Sequence, residues 1–304
     1  MKIKPLCLLL FGISFLFISR TALAVPKVLV TLKPLHSLVA NLMENVGEPQ
    51  LIVPDGASPH TFQLKPSDLK RIQQADLIIW VDSTLEAFMA KSLTQYPDKK
   101  ILTLSGLPHI ILLPLREGRL WQHHHDDEHA HNHADFDPHL WLSTENAKVI
   151  AVAIADYLSK IDPEHATHYA SNKNKLLKKL DLLKSDIAQQ LKNYQSQPFL
   201  VYHDAYQYFE KEFHLNGAGT MVLNPHVPLS AHGLNEIKQL IEKNHIQCVF
   251  RETEFNDNQI RQFLKGLAVN VEELDPLGYR YPQGPENYFQ TMQGLSATLK
   301  ICLR

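Results

Sequence analysis

Short apolar runs alternate along this chain with stretches in which apolar residues recur every three or four positions. Lys27–Thr31, Gln50–Val53, Asp76–Val81 and Lys100–Thr103 read as strands. Between them, His36–Glu44, Pro66–Gln74 (with Ser67 as its cap) and Glu86–Gln95 read as helices. The second half repeats this grammar. Phe199–Tyr202, Leu215–Ala218, Cys248–Arg251 and Val271–Leu274 are expected strands, and Ala205–Phe213, Ala231–Asn244, Asp257–Leu267 and Glu286–Lys300 expected helices, with Ser230 capping the second and Asp257 near the start of the third. Such alternation predicts α/β architecture with parallel sheets covered by helices. Between the halves, Leu176, Leu180, Leu183, Ile187 and Leu191 keep the spacing of one helical face, and no Gly or Pro falls between Pro163 and Pro198. A helix of some 30 residues would run roughly 45 Å, long enough to be a strut joining two lobes. Lysines 173, 175, 178, 179 and 184 are expected on its solvated side.

The N-terminus follows a different logic. Lys2 and Lys4 precede a 13-residue apolar run, Leu6–Ile18, and Ala22-Leu23-Ala24 supplies a small-x-small cleavage pattern. This reads as a secretory signal peptide, cut after Ala24; an uncleaved N-terminal anchor is the alternative. Cys7 stands too early in it to be a lipid-attachment cysteine. The organisation expected is therefore a leader (1–24), an N-terminal lobe (25–162) with a His-rich loop (116–136), a linking helix (163–194) and a C-terminal lobe (195–304).

Export to a periplasm changes how the cysteines and charges are read. Cys248 and Cys302 outlive the leader, and an even pair in an oxidising compartment reads as a disulfide. A loop of this length would stabilise the fold by roughly 4 kcal/mol in the chain-entropy model. The full chain of 304 residues is 44% hydrophobic and carries 30 basic against 32 acidic residues, a balance that offers no excess cation for nucleic acid. Seventeen histidines are the unusual feature of its composition. Six of them, His123, His124, His125, His129, His131 and His133, fall in one acidic stretch without apolar periodicity. Histidine-rich tracts of this kind point to metal.

Three further histidines lie in loops after strands or at the entrance to helices. They are His60 in Ser58-Pro59-His60-Thr61, His139 in Asp137-Pro138-His139-Leu140-Trp141, and His203 in Tyr202-His203-Asp204-Ala205. Asp275 opens Asp275-Pro276-Leu277-Gly278 directly after an expected strand. Ligands of open α/β sheets gather at the carboxyl ends of strands. Three neutral imidazoles and one oxygen satisfy tetrahedral zinc. Glu252, at a strand end, is a candidate acceptor for orienting one imidazole.

These same residues resemble the ligand motifs of the periplasmic zinc-binding proteins of high-affinity zinc ABC importers, within the wider group that captures zinc or manganese. Ser58-Pro59-His60 with Leu64-Lys65-Pro66-Ser67-Asp68, then Asp137-Pro138-His139-Leu140-Trp141, then His203-Asp204-Ala205-Tyr206-Gln207-Tyr208-Phe209, follow the family's order. Asp275-Pro276-Leu277-Gly278 is similar to its C-lobe motif, and the His-rich insertion and late cysteine pair match as well. The resemblance implies two lobes, each with a mostly parallel four-stranded sheet flanked by helices, joined by a long backbone helix, with metal bound in the cleft. It implies a non-enzymatic periplasmic carrier, expected to be a monomer, that delivers Zn²⁺ to a membrane ABC permease. Some zinc-binding members carry Glu immediately before the first histidine, where this chain has Pro59, so the fourth ligand is Asp275 or water. Manganese-type members carry Glu at the third ligand position, where this chain has His203. Imidazole suits zinc better.

Competing readings are a manganese importer component of the same family, a surface adhesin or zinc buffer with the same fold, and a secreted zinc hydrolase. The hydrolase would need a base beside an open coordination position, and the chain holds no H-E-x-x-H motif. The insertion Gln122–Phe136 is expected to bind metal weakly and multivalently. His165 and His168 are expected to be bystanders, and His226 and His232 to have capping or packing roles.

Overall fold

The structure is a computed structural model, and it describes residues 25–96, 100–121, 136–222, 230–253 and 257–304. The leader with Cys7, the six histidines from His123 to His133, and His226 lie outside the described residues.

Each half folds around a four-stranded, wholly parallel sheet. In the N-terminal lobe β1 (Val28–Val30), β2 (Gln50–Leu51), β3 (Leu77–Trp80) and β4 (Lys100–Thr103) stand in the order β2-β1-β3-β4. Helices α1 (Lys33–Leu42), α2 (Pro66–Gln74) and α3 (Ala87–Thr94) make the crossovers. The C-terminal lobe repeats the plan with β5 (Pro198–Val201), β6 (Asn216–Thr220), β7 (Cys248–Glu252) and β8 (Asn270–Leu274), ordered β6-β5-β7-β8. Its helices are α6 (Gln207–Phe213), α7 (Ala231–Lys243), α8 (Asp257–Phe263) and α9 (Asn287–Cys302). Two lobes with the same order each reverse direction beside their first strand, and this is where a parallel sheet opens a crevice for a ligand.

Two long helices join the lobes. Helix α5 (Ala166–Leu191) buries Leu176, Leu180, Leu183, Ile187 and Leu191, the face expected from their spacing. It starts at Ala166 because Pro163–His165 forms a tight 3₁₀ turn, so its 26 residues run about 39 Å. Helix α4 (Thr144–Ile161) lies beside it and was not expected. Ser143 caps α4, its hydroxyl accepting from Asn146 N–H, while Ala147, Ile150, Ala151, Ile154, Ala155 and Leu158 form the buried stripe. The ion pairs Glu145–Lys184, Lys148–Asp181 and Asp156–Lys173 run in opposite senses along the two chains, so the helices are antiparallel. Of the α5 lysines, 173, 175, 179 and 184 pair with acids on neighbouring segments. Among the described residues, no helix is long and apolar enough to cross a membrane.

Ser230 caps α7, its hydroxyl accepting from Gly233 N–H. Ser67 does not cap α2, because Pro66 already occupies the first turn. The cap is Lys65, whose N–H donates to the Asp68 carboxylate at 2.8 Å. Cys248 and Cys302 form a disulfide that ties the start of β7 to the end of α9.

Strand β6 is rich in glycine for reasons of space. The connection that leaves the N-terminal lobe after β4 runs antiparallel along its edge. Leu120 bridges Gly219, Trp121 N–H donates to Ala218 O, and Thr220 N–H donates to Arg119 O. A Cβ on Gly219 would collide with the Arg119 carbonyl, and one on Gly217 with the Glu210 carboxylate.

Candidate metal centre

His203 follows β5 and Glu252 ends β7, the two strands flanking the reversal point of the C-terminal sheet. His60 lies in the turn after β2, and His139 ends the long connection after β4. The structure brings these three histidines together: one ring nitrogen from each lies within 4.8 Å of the other two. Among the described residues this is the one group of three or more metal-donor side chains so arranged. Their ring centroids are 5.2–5.7 Å apart.

Two of the three rings are fixed from behind. Asp137 Oδ1 is 2.7 Å from His139 Nδ1 and also accepts from the His139 backbone N–H. Glu252, fully buried, brings Oε2 within 2.6 Å of His203 Nδ1. A carboxylate at Nδ1 favours the Nδ1–H tautomer and leaves Nε2 as a bare lone pair. His139 Nε2 and His203 Nε2 then face each other at 3.4 Å. Two nitrogens held at about 2.0–2.1 Å by one tetrahedral zinc ion would be about 3.3–3.4 Å apart.

Electrostatics favour a neutral His139 ring here. Burial, with His203 beside it, pushes the His139 imidazole down to about 3, so it needs no deprotonation to act as a donor near neutrality. Burial likewise pushes the Asp137 carboxyl up to about 7. Arg116 sits beyond, donating to Asp204 and Glu210, with its guanidinium 3.4 Å above the Trp121 ring. These opposite charges hold Arg116 above its ordinary range despite burial.

The motif residues around the histidines lock the loops to one another. Tyr208 donates its hydroxyl to Asp137 O and accepts from Leu113 N–H, so the loop carrying His203 grips the one carrying His139. Trp141 Nε1–H donates to Pro276 O, joining the His139 loop to the one after β8. Asp275 is buried in that last loop. Its Oδ2 accepts from Arg280 N–H, and its Oδ1 has no hydrogen-bond partner. It stands outside the close trio of donor atoms.

The other histidines are elsewhere. His165 pairs with Asp162 at 2.8 Å and lies beside His168 on the outer turn of α5. His232 was expected to cap or pack. Its side chain is instead 85% exposed and reaches Glu236 one turn along α7. Asp137 and Arg116 escaped the sequence reading. Asp137 could have been found, two residues before a candidate ligand, whereas nothing local marks Arg116.

Parallel-sheet lobes on a helical backbone, with donor loops converging from both, define the class of two-lobed solute-binding proteins. The sequence pattern of the family described as "ZnuA: Zinc-uptake complex component A periplasmic" matches residues 28–302, and the chain belongs to that family. It is 34% identical over 304 residues to the "High-affinity zinc uptake system protein ZnuA" of Brucella abortus (strain 2308), covering 91% of each chain. A second relative of the same description, from Yersinia pestis, is 34% identical over 297 residues, covering 93% of this chain and 92% of its own. A solved structure titled "Crystal structure of ZnuA" shares the fold, with a TM-score of 0.78 and 21% identity over 92% of this chain and 99% of that one.

Proposed function

We propose that the protein is a periplasmic solute-binding protein that captures Zn²⁺ between its lobes and hands it to a membrane ABC permease for import. His60, His139 and His203 would be three ligands, and Asp275 the fourth. The observation that carries this reading is the pair of Nε2 atoms at 3.4 Å, each backed by a carboxylate. Two lone pairs aimed at each other repel unless a cation stands between them, and the spacing suits tetrahedral zinc. Membership of a family named for zinc uptake supports the same metal. The buried, unpartnered Asp275 Oδ1 supports a carboxylate completing the shell. An imidazole-dominated set favours zinc over manganese, which prefers oxygen.

The reading divides the chain into a leader (1–24), two metal-binding lobes (25–162 and 195–304) and a backbone helix (163–194), with the protein a monomer. The histidines of residues 123–133 would collect metal at lower affinity. The function is binding and delivery, with no reaction performed on the ion. The deciding experiment is metal-content analysis of protein purified without chelator, followed by competition between zinc and manganese. One tightly held zinc per chain is expected; predominant manganese at the tight site would overturn the assignment.

A further inference from the structure

His60 differs from its two companions. It is only partly buried, whereas they are buried, and its turn is bonded to the opposite lobe. From its own lobe, that turn is held by Lys33, whose ammonium reaches Asp55 at 2.7 Å, and by Phe62, packed edge-on to Phe88. From the opposite lobe, Tyr279 reaches across and donates its hydroxyl to the carbonyl of Ala57, three residues before His60.

The base from which Tyr279 reaches is firmly built. Gly278 adopts φ +67°, in the left-handed region, and a Cβ there would strike Thr291 and Asn287. Asn287, on the first turn of α9, donates through Nδ2 to Gly278 O at 2.9 Å, with Tyr281 O and Pro282 O also in reach. Arg280 N–H donates to Asp275, and Tyr281 N–H to Gly278 O. The aromatic side chain thus projects from a turn pinned at both ends towards the turn that carries His60.

We propose that Tyr279 is a positioning residue that latches the His60 turn to the C-terminal lobe through the hydrogen bond from its hydroxyl to the Ala57 carbonyl. The proposal rests on the reading of His60 as a zinc ligand. A bond between lobes forms only when the His60 turn and the Asp275–Tyr281 loop are together, so it favours the arrangement in which His60 meets His139 and His203. Releasing the ion by withdrawing His60 must break it. Tyr279 therefore acts mainly on the residence time of the metal, without touching the metal itself.

The test measures zinc release from the full mature protein into excess chelator by stopped flow. It compares wild type, Tyr279→Phe, Tyr281→Phe, His60→Ala and the Tyr279→Phe/His60→Ala double variant. Tyr281→Phe is the control, since that hydroxyl lies over Gly294 within its own lobe. Tyr279→Phe should keep one tight zinc and release it about 3- to 10-fold faster, the range set by one hydrogen bond. Tyr281→Phe should release at the wild-type rate. In the His60→Ala background, Tyr279→Phe should add no acceleration, because the turn it holds no longer carries a ligand. A second variant, Tyr279→Leu, should release at least as fast as Tyr279→Phe. Unchanged release from Tyr279→Phe, or equal acceleration with and without His60, would overturn the latch and leave the metal site standing. Wild-type protein without a tight zinc would overturn the site itself.

Discussion

His139 and His203 sit on one kind of support and His60 on another. The first two are almost fully buried, each with a carboxylate at Nδ1; Tyr208, on the helix after His203, holds the His139 loop, and Trp141 ties that loop to the one after β8. His60 rides a less buried turn, which Tyr279 reaches from across the cleft. A rigid wall fixes donor geometry before the ion arrives, so little ordering entropy remains to be lost on binding. In the proposed site, a third donor on a less buried turn would leave a route by which the ion can enter and leave. Tight capture and timely delivery make opposite demands, and the proposed site would divide them between different histidines.

The largest effects should come from dismantling the wall. His139→Ala and His203→Ala should each weaken zinc binding by at least about 100-fold, measured against a competing chelator. His60→Ala should also weaken zinc binding while leaving a slower-than-diffusion release to measure, but the metal-free proteins should differ. Removing His203 strands the buried Glu252 carboxylate, a loss of about 1–3 kcal/mol and a melting temperature lower by several degrees. His60→Ala should melt within about a degree of wild type. Equal melting of the two metal-free variants would erase the contrast.

Next comes the backing of the wall. Glu252→Gln should cost about 10- to 100-fold in zinc affinity, the range for partners that orient metal-bound imidazoles. Asp275→Ala should cost less than loss of any histidine, because water can take an oxygen ligand's place. A loss as large as that of His203→Ala would make Asp275 an equal partner in the site.

Protons give a subtler contrast. The folded His139 stays neutral down to about pH 3, whereas an unfolded histidine protonates below about 6.5, so this group costs stability as pH falls through that window. The folded Asp137 holds its proton from about pH 7 downward, whereas an unfolded carboxyl binds one only below about 3.9, so this group adds stability as pH falls. Between about pH 4 and 6.5 the pair binds one proton in either state, and the two contributions cancel. Zinc at His139 Nε2 needs Asp137 ionised to accept from Nδ1–H, so binding at pH 6 should expel that proton. Calorimetry in buffers of different ionisation enthalpy should show about one fewer proton released by Asp137→Asn. An unchanged proton count would assign the proton elsewhere.

The smallest effect on the tight site should come from deleting Gln122–Ala134. Total zinc bound should fall while the tightest affinity moves by less than about 3-fold, since the deletion spares Asp137-Pro138-His139. Loss of the tightest site with the weak ones retained would reverse the roles of loop and cleft.

The sequence spoke most clearly where one local rule acts alone. The apolar stripe of α5, the alternating strands and the Ser230 cap are set by period and capping chemistry, and each lies within a few residues of its expected place. Helix α4 carried the same signals, Ser143 before an apolar stripe, but its alanines make that stripe faint. Ser67 misled because residue type suggested a cap while Pro66 dictated where the helix begins. The three histidines were legible as loop residues after strands, and Glu252 as a strand-end acid. Their convergence was not, because contact across 64 and 79 residues depends on how two lobes close on each other. Arg116 was invisible for the same reason: its partners, Asp204 and Glu210, are about 90 residues away.

The short run Arg119–Trp121 along β6 has a consequence for colonial behaviour among copies of the chain. An uncovered outer strand of a parallel sheet offers unpaired amides and carbonyls to any neighbour, the usual seed of edge-to-edge aggregation. Here part of that edge is already taken by the chain's own backbone, and Gly219 lets the cover lie close. The His-rich insertion begins at the next residue, Gln122. A segment grafted beyond the cover can lengthen, shorten or change its histidines without unmasking the strand. Sequence change in that insertion therefore carries little risk of edge-to-edge association through β6.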